Sequence, residues 1–533
     1  MERIQRQMSQ PDSNDASICP VPAPSIGMVS GDHQISTAEA LQHAHQIAAG
    51  LAARGIGAGD SVALLLRNDI VFVEASYGIT ALGAYTVPVN WHSTPEDIVY
   101  VLEDCGARLL IAHADLLAAV RPLLPADIKV LCVATPPEIQ AAYRIHDDAA
   151  AVPADLDDYA GWLAAQPFDA TFPAGQAPLS MIYTSGTTGR PKGVRRNPPT
   201  PGQHLAIEAV RTRLFGLRNG MRALVPGPLY HSAPNAYALR AGRVAEALIL
   251  MPRFDAEETL RLIAAERIDT VLMVPTMFIR LLRLPQAVRE RYDLSSLRFV
   301  VHAAAPCPPE IKRQMIDWFG PIIWEYYGGT ETGALTLVSS EEWLRKPGTV
   351  GRPAPGADIR IADEADNELP RGEIGEIFSR VADTADFTYQ NLPEKRAEVE
   401  RDGYLTGGDL GYLDEDGYLF ICDRKRDMVI SGGVNIYPAE IEAVLQTLPG
   451  VQDCAVFGIP DPDFGESLIA AVELQPGVEL DGEALKAALK GLVASYKMPK
   501  RIEIHPALPR EDSGKIFKRR LRDPYWETAG RRI

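Results

Sequence analysis

Cysteine is scarce. The 533-residue chain holds six, at Cys19, Cys105, Cys132, Cys307, Cys422 and Cys454, with no Cys-x-x-Cys pair and no His–Cys group at zinc spacing. That scatter excludes a disulfide framework and a structural zinc site, and a reducing, cytoplasmic setting is expected. Long apolar runs are missing too. None reaches the ~20 residues that cross a bilayer, and Met1–Pro24 is polar and proline-rich, unlike a secretion signal. No integral membrane segment is expected. Basic charge is the minority sign, with 53 Lys and Arg against 70 Asp and Glu and a net charge of −17. General binding to nucleic acid or to an anionic membrane is therefore not expected. An anionic small ligand would need a local basic patch, for which Arg424, Lys425 and Arg426, or Lys515, Lys518, Arg519 and Arg520, are candidates.

The chain is 46% hydrophobic and 23% charged, the composition of a globular enzyme, and its length suits roughly two to four subdomains. Ser36 and Glu39 fit a capping box, and Leu41, Ala44, Ile47, Ala48 and Leu51 follow at helical spacing. Apolar strand candidates then alternate with helical stretches: Val62–Leu66, Ala84–Val89, Leu109–Ala112, Val130–Val133, Ala223–Val225, Ala247–Leu250, Thr270–Val274 and Phe299–Ala303, with helices near 69–83 and 255–267. Such alternation predicts a parallel α/β architecture. Residues 134–178, rich in Ala, Pro and Asp, read as a surface connection. After about residue 345, glycines punctuate short strands, which predicts a small β-rich unit. The last hundred or so residues read as a compact α+β unit, with a boundary near 422–426.

Five runs carry chemistry. Residues 183–194 read Tyr-Thr-Ser-Gly-Thr-Thr-Gly-Arg-Pro-Lys-Gly-Val, after a short strand candidate at Leu179–Tyr183. Thr184, Ser185, Thr187 and Thr188 each offer a hydroxyl to a phosphate oxygen. Gly186 and Gly189 allow close backbone approach, and successive N–H groups form an anion nest. Lys192 adds a point charge. This is not a Walker A loop, because Lys192 is followed by Gly193 rather than Ser or Thr. Glu325-Tyr326-Tyr327-Gly328-Gly329-Thr330-Glu331-Thr332 can stack a purine on an aromatic ring and present a carboxylate to a metal. Asp409 can accept from both hydroxyls of a ribose, and Arg424 can add a charged donor. Lys515 lies in Pro509–Ile516, and Gly432-Gly433 opens Ser431–Glu442. Taken singly, each run is also compatible with an ordinary turn.

Together, across residues 36 to 520, these runs resemble the adenylate-forming superfamily of acyl-CoA synthetases, peptide-synthetase adenylation domains and luciferases, and within it the fatty-acyl and aryl-CoA ligases. The resemblance implies an α/β fold: a 1–35 arm, a large N-terminal domain over 36–422 with two α/β sheets and a small β-barrel, a hinge over 423–426, and a mobile α+β domain over 427–533. It implies ATP, Mg²⁺ and coenzyme A. Residues 184–189 and Lys192 would hold the β- and γ-phosphates. Ala305, Pro306, Glu325, Tyr326 and Tyr327 would line the nucleotide site, with Tyr327 packed on adenine. Thr330 would contact the α-phosphate, Glu331 would bind Mg²⁺, and Asp409 and Arg424 would hold the ribose. Lys515 would enter the site from the C-terminal domain and bridge the carboxylate and the α-phosphate. Gly432 and Gly433 would line the pantetheine tunnel, and Arg426 stands at the family's hinge position. Gly407 replaces the threonine that usually precedes Gly-Asp.

The resemblance also bears on the acid. Leu229-Tyr230-His231-Ser232 matches the aromatic-His motif of acyl- and aryl-CoA synthetases, where His231 would gate or position the carboxylate. No aspartate stands there to pair with an amino acid's amine. Gly328 takes the place of the tryptophan that closes the pocket of acetyl-CoA synthetases, so a larger acid is expected. Ala303-Ala304-Ala305-Pro306 replaces the commoner Gly-Gly-Ala-Pro, and Asn235 and Tyr237 could add polar contacts. The expected activity is an AMP-forming ligase that joins a fatty, aromatic or bulky alicyclic acid to coenzyme A. The alternatives are an adenylate-forming enzyme with another acceptor and an inactive nucleotide-binding homologue.

Overall fold

The apolar strand segments pair into two parallel sheets in the computed structural model, which describes residues 26–168, 178–184, 190–382, 384–510 and 516–528. In the larger sheet, Ala247–Leu250, Arg222–Val225, Thr270–Met273, Phe299–His302 and Ile323–Gly329 run parallel as neighbours. The hairpin partner Gly333–Val338 and then Arg352–Pro353 extend one edge antiparallel. The smaller sheet is parallel, in the order Tyr85–Pro88, Ser61–Leu65, Ala107–His113, Lys129–Val133, Asp157–Asp158. The helices Thr37–Ala53 and Ile70–Ala81 join the two: Ile47, Leu51, Phe72 and Val73 share one buried core with Val62 and Leu64 of the smaller sheet and Ala223 and Leu248 of the larger. Burying each such aliphatic or aromatic side chain contributes about 1.5–3 kcal/mol.

The capping box forms as expected, with Glu39 N donating to Ser36 Oγ at 3.1 Å and Ser36 N to Glu39 Oε2 at 2.7 Å. Of the expected helix face, Leu41 is 48% exposed, and Ala40 takes the inward position instead. The expected 1–35 arm is corrected at its end. Gly27–Ser30 pairs parallel with Ala247–Leu250 and antiparallel with His33–Ile35, so both strands belong to the larger sheet. The stretch expected to be a plain connection carries three short helices, Pro137–Tyr143, Asp147–Ala150 and Tyr159–Ala164.

A three-stranded sheet, Phe387–Tyr389, Lys192–Arg196, Ile182–Thr184, brackets the phosphate-loop segment. The β-rich unit is an antiparallel five-stranded sheet, with Ala357–Ala362, Gly375–Val381, Tyr404–Leu413 and Glu400–Arg401 in order and Leu419–Arg424 on Tyr404–Leu413. It curls as a half-barrel, and among the described residues its end strands, Ala357–Ala362 and Glu400–Arg401, do not pair with each other. The C-terminal unit packs the helices Pro438–Leu445 and Gly482–Leu489 on a third five-stranded sheet built around Gly465–Leu474, with Val451–Asp461 as its long antiparallel partner. The helix Lys518–Thr528 packs against Val451–Asp461.

Parallel strands deliver their carboxyl ends to one crevice. Here Phe299–His302 runs into Ala303–Pro306, Ile323–Gly329 into Thr330–Thr332, and Arg222–Val225 into the turn carrying Tyr230 and His231. The candidate motifs therefore meet although they are far apart in the chain.

Candidate active site

A cavity of about 2260 Å³ opens at these strand ends. Thr184, Lys192, His231, Asn235, residues 303–306, residues 325–331, Asp409, Arg424 and Arg426 all line it. Ser185, Gly186, Thr187, Thr188, Gly189 and Lys515 lie outside the described residues.

One wall is set by strand register. Asp409 and Arg424 face each other as partners across the antiparallel pair Tyr404–Leu413 and Leu419–Arg424, and Arg424 Nε lies 3.5 Å from Asp409 Oδ1. Tyr327 Oη donates to Asp409 Oδ2 at 2.7 Å. Burial, and then the adjacent Asp409 carboxylate, push the Tyr327 phenol well above its usual range, so it stays a donor. A Cβ built at Gly407 would lie 3.7 Å from Asp409 Oδ2, so the missing threonine leaves space beside the carboxylate. Thr406 stands one residue upstream and bonds Glu376 at 2.7 Å instead.

Opposite lies Glu331. Its Oε1 accepts from Tyr389 Oη at 3.1 Å and from Thr184 Oγ1 at 3.4 Å, and Lys192 Nζ sits 5.3 Å from the Tyr389 ring centroid. Among the described residues no group of three or more His, Cys, Asp or Glu side chains could hold a metal. A single carboxylate beside a hydroxyl, open to a cavity, fits Mg²⁺, which favours one or two carboxylates completed by phosphate oxygens and water.

Several expected residues carry structural contacts of their own, and one of them, Tyr237, lies off the cavity lining. Glu325 is 6% exposed, and its Oε2 accepts from the fully buried Lys312 Nζ at 2.5 Å. Burial raises the Glu325 pKa and Lys312 offsets part of that rise. Removing either partner of such a pair typically costs about 3–5 kcal/mol, so Glu325 braces the strand beneath the site. Tyr326 also lines the cavity, with its ring 6.2 Å from Phe215. Tyr237 is fully buried, bonds Thr270 O at 3.0 Å and does not reach the cavity lining. Asn235 lines the cavity, but its Nδ2 donates to Leu229 O at 3.1 Å, which fixes the turn carrying His231.

Gly328 lines the cavity for a backbone reason. A Cβ there would lie 2.0 Å from Gly333 O across the neighbouring strand, at the register shift after Tyr327. Ala304 takes φ +74°, the left-handed region, where an alanine in glycine's usual place costs about 1–2 kcal/mol. Gly432 and Gly433 (φ +58° and +82°) form the two-residue turn of a hairpin, and neither is among the described residues lining the cavity. The lining residues of the C-terminal unit include Tyr437, Arg510, Ile516 and Lys518.

Residues 16–385 match the family described as AMP-binding enzyme, and residues 440–515 match the AMP-binding enzyme C-terminal domain. The chain belongs to the AMP-binding enzyme family. Its relatives in this adenylate-forming superfamily include a fatty acid–[acyl-carrier-protein] ligase, ScoC, of Streptomyces coeruleorubidus, 33% identical over 92% of each chain. A feruloyl-CoA synthase of an Amycolatopsis species is 34% identical over 92% of this chain and 94% of its own. Among solved structures, ATP-bound MatB from Rhodopseudomonas palustris superposes with a TM-score of 0.80 at 28% identity, covering 95% of this chain and 97% of that one.

Two residues of this AMP-binding enzyme gave no sequence signal. Arg196 donates to Thr330 O at 2.9 Å, Glu331 O at 2.5 Å and Ala385 O at 2.8 Å, tying Glu331 to the three-stranded sheet. Burial lowers its pKa. Tyr389 reaches Glu331 from the far edge of the same sheet. Arg-Arg in a strand and Tyr in Thr-Tyr-Gln are too ordinary to stand out.

Proposed function

We propose that this enzyme is an ATP-dependent ligase that activates a carboxylic acid with an apolar body as its acyl-adenylate and transfers it to coenzyme A. The reading rests on one cavity that brings Thr184 and Glu331 together with Tyr327, Asp409 and Arg424. Asp409 and Arg424 take the ribose hydroxyls, and the Tyr327 ring takes the adenine face. Glu331 is the residue that would hold Mg²⁺, which supplies charge neutralisation on the phosphates.

In the first step a carboxylate oxygen attacks the α-phosphorus of ATP and the bond to the β-phosphate's bridging oxygen breaks. Pyrophosphate leaves, and acyl-AMP stays bound. Lys515 and Thr330 stabilise charge on the α-phosphate oxygens, and His231 positions the carboxylate. In the second step the coenzyme A sulfur, having lost its proton to water, attacks the acyl carbon. The bond to the AMP oxygen breaks and AMP leaves. Arg510 and Ile516, which flank residues 511–515, line the cavity, whereas Gly432 and Gly433 do not, an arrangement suited to the first step. The second step then calls for rotation about 423–426, where Arg522 Nη1 bonds Arg426 O at 3.3 Å.

The fatty acid–[acyl-carrier-protein] ligase among the relatives keeps a carrier-bound thiol open as the acceptor. Incubation with ATP, Mg²⁺ and an acid panel is expected to consume free coenzyme A thiol and form AMP in equal amounts. Pyrophosphate release with no loss of free thiol would overturn coenzyme A as the acceptor.

A further inference from the structure

The wall made by the helices Pro201–Phe215 and Ser232–Val244 is charged. Arg196, His204, Glu208, Arg211, Arg240 and Arg243 line the cavity there, interleaved with Ile207, Val210, Phe215 and Leu239. Most of these charges have partners. Arg240 Nε donates to Glu208 Oε1 at 2.9 Å and its Nη2 lies 2.8 Å from the same oxygen. Arg196 is held by three carbonyls, and the Arg243 guanidinium lies 5.1 Å from the Tyr77 ring centroid. Arg211 differs. Its Nη1 is buried and has no hydrogen-bond partner among the described residues, the Glu208 carboxylate that acts on it is already bound to Arg240, and burial followed by Arg240 drives its pKa well below the usual value.

A buried guanidinium nitrogen with nothing to donate to costs roughly 1–3 kcal/mol or more, and arginine does not relieve that cost by losing its proton. The same residue feels Arg196, whose donors hold the Thr330 and Glu331 carbonyls, and the Tyr326 phenol. Arg211 stands on the helical wall of the same cavity rather than beside Asp409 and Arg424. Apolar neighbours on the same wall suit a carbon skeleton between two polar ends.

We propose that the acid substrate carries a second carboxylate, at the end of its apolar body remote from the reacting one, and that Arg211 binds it. This rests on the ligase reading above. Glu208 and Arg240 are positioning residues: their pair satisfies Arg240 and leaves Arg211 as the unmatched donor.

The test compares matched acids of equal length, decanoate against decanedioate and 3-phenylpropanoate against its 4-carboxy derivative, by pyrophosphate release with the wild type, Arg211→Met and Arg211→Lys. A diacid preference of about tenfold to a hundredfold in kcat/KM is expected. Arg211→Met should erase that preference and improve the monoacids, through KM rather than kcat, and Arg211→Lys should keep part of it. Equal use of monoacids and diacids, or a loss in Arg211→Met that falls on both alike, would overturn the proposal. A rise in the KM for ATP or coenzyme A with no change for the acid would overturn it too, assigning Arg211 to a phosphate. Turnover of no acid of either kind would sink the ligase reading itself, a result distinct from turnover without diacid preference.

Discussion

Glutamine in place of Glu331 is expected to slow acid-dependent pyrophosphate release by about 10²–10³-fold, the size of effect seen when one charge-stabilising group is removed from a reacting centre. The change removes a charge and little else. The amide oxygen can still accept from Tyr389, now at 3.1 Å, and from Thr184 at 3.4 Å, and Arg196 grips the backbone carbonyl rather than the side chain. The melting temperature should therefore stay close to that of the wild type. Raising Mg²⁺ should restore part of the rate if Glu331 holds the ion, because the defect is then one of affinity. A variant that is fully active at ordinary Mg²⁺, or one whose slow rate ignores Mg²⁺, would remove Glu331 from the metal role.

The second large effect belongs to Lys515. Alanine there is expected to slow adenylate formation by about 10²–10³-fold while leaving transfer from chemically supplied acyl-AMP to coenzyme A within a few fold of wild type. The split follows from the two-step scheme. Residues beside 511–515 border the cavity from the C-terminal unit, and Arg510 is anchored there by Asp453 at 2.7 Å. A lysine presented from a separate unit can serve one step and withdraw for the other. Equal loss in both half-reactions would make Lys515 a general structural residue. No loss in either would end its catalytic assignment.

Much of the fold could be read before the structure, because its strands are continuous apolar runs separated by amphipathic helices, the pattern that a doubly covered parallel sheet imposes. Ala247–Leu250 is such a case. Gly27–Ser30 escaped because four residues with a glycine at one end carry no period. Leu41 misled because its helical spacing places it on the rim of the face, where Ala40 packs inward. At the site, Asp409 and Arg424 were paired through the family resemblance, and strand pairing supplies the physical reason that they meet. Arg196, Arg211 and Lys312 were not found. An arginine or lysine at a strand or helix position reads as surface, and only tertiary packing turns it inward. Gly328 was singled out for the space it leaves in the cavity, and the structure adds a backbone oxygen, Gly333 O, that a Cβ there would meet.

The central claim is that a carboxylate oxygen becomes bonded to the α-phosphorus of ATP. It is tested most directly by running the reaction with an acid whose carboxylate oxygens are both ¹⁸O and analysing the products by mass spectrometry. Attack by the carboxylate, followed by thiol attack on the acyl carbon, must leave one labelled oxygen in each AMP and none in pyrophosphate. AMP without the label, or label in a phosphate other than that of AMP, would contradict the account.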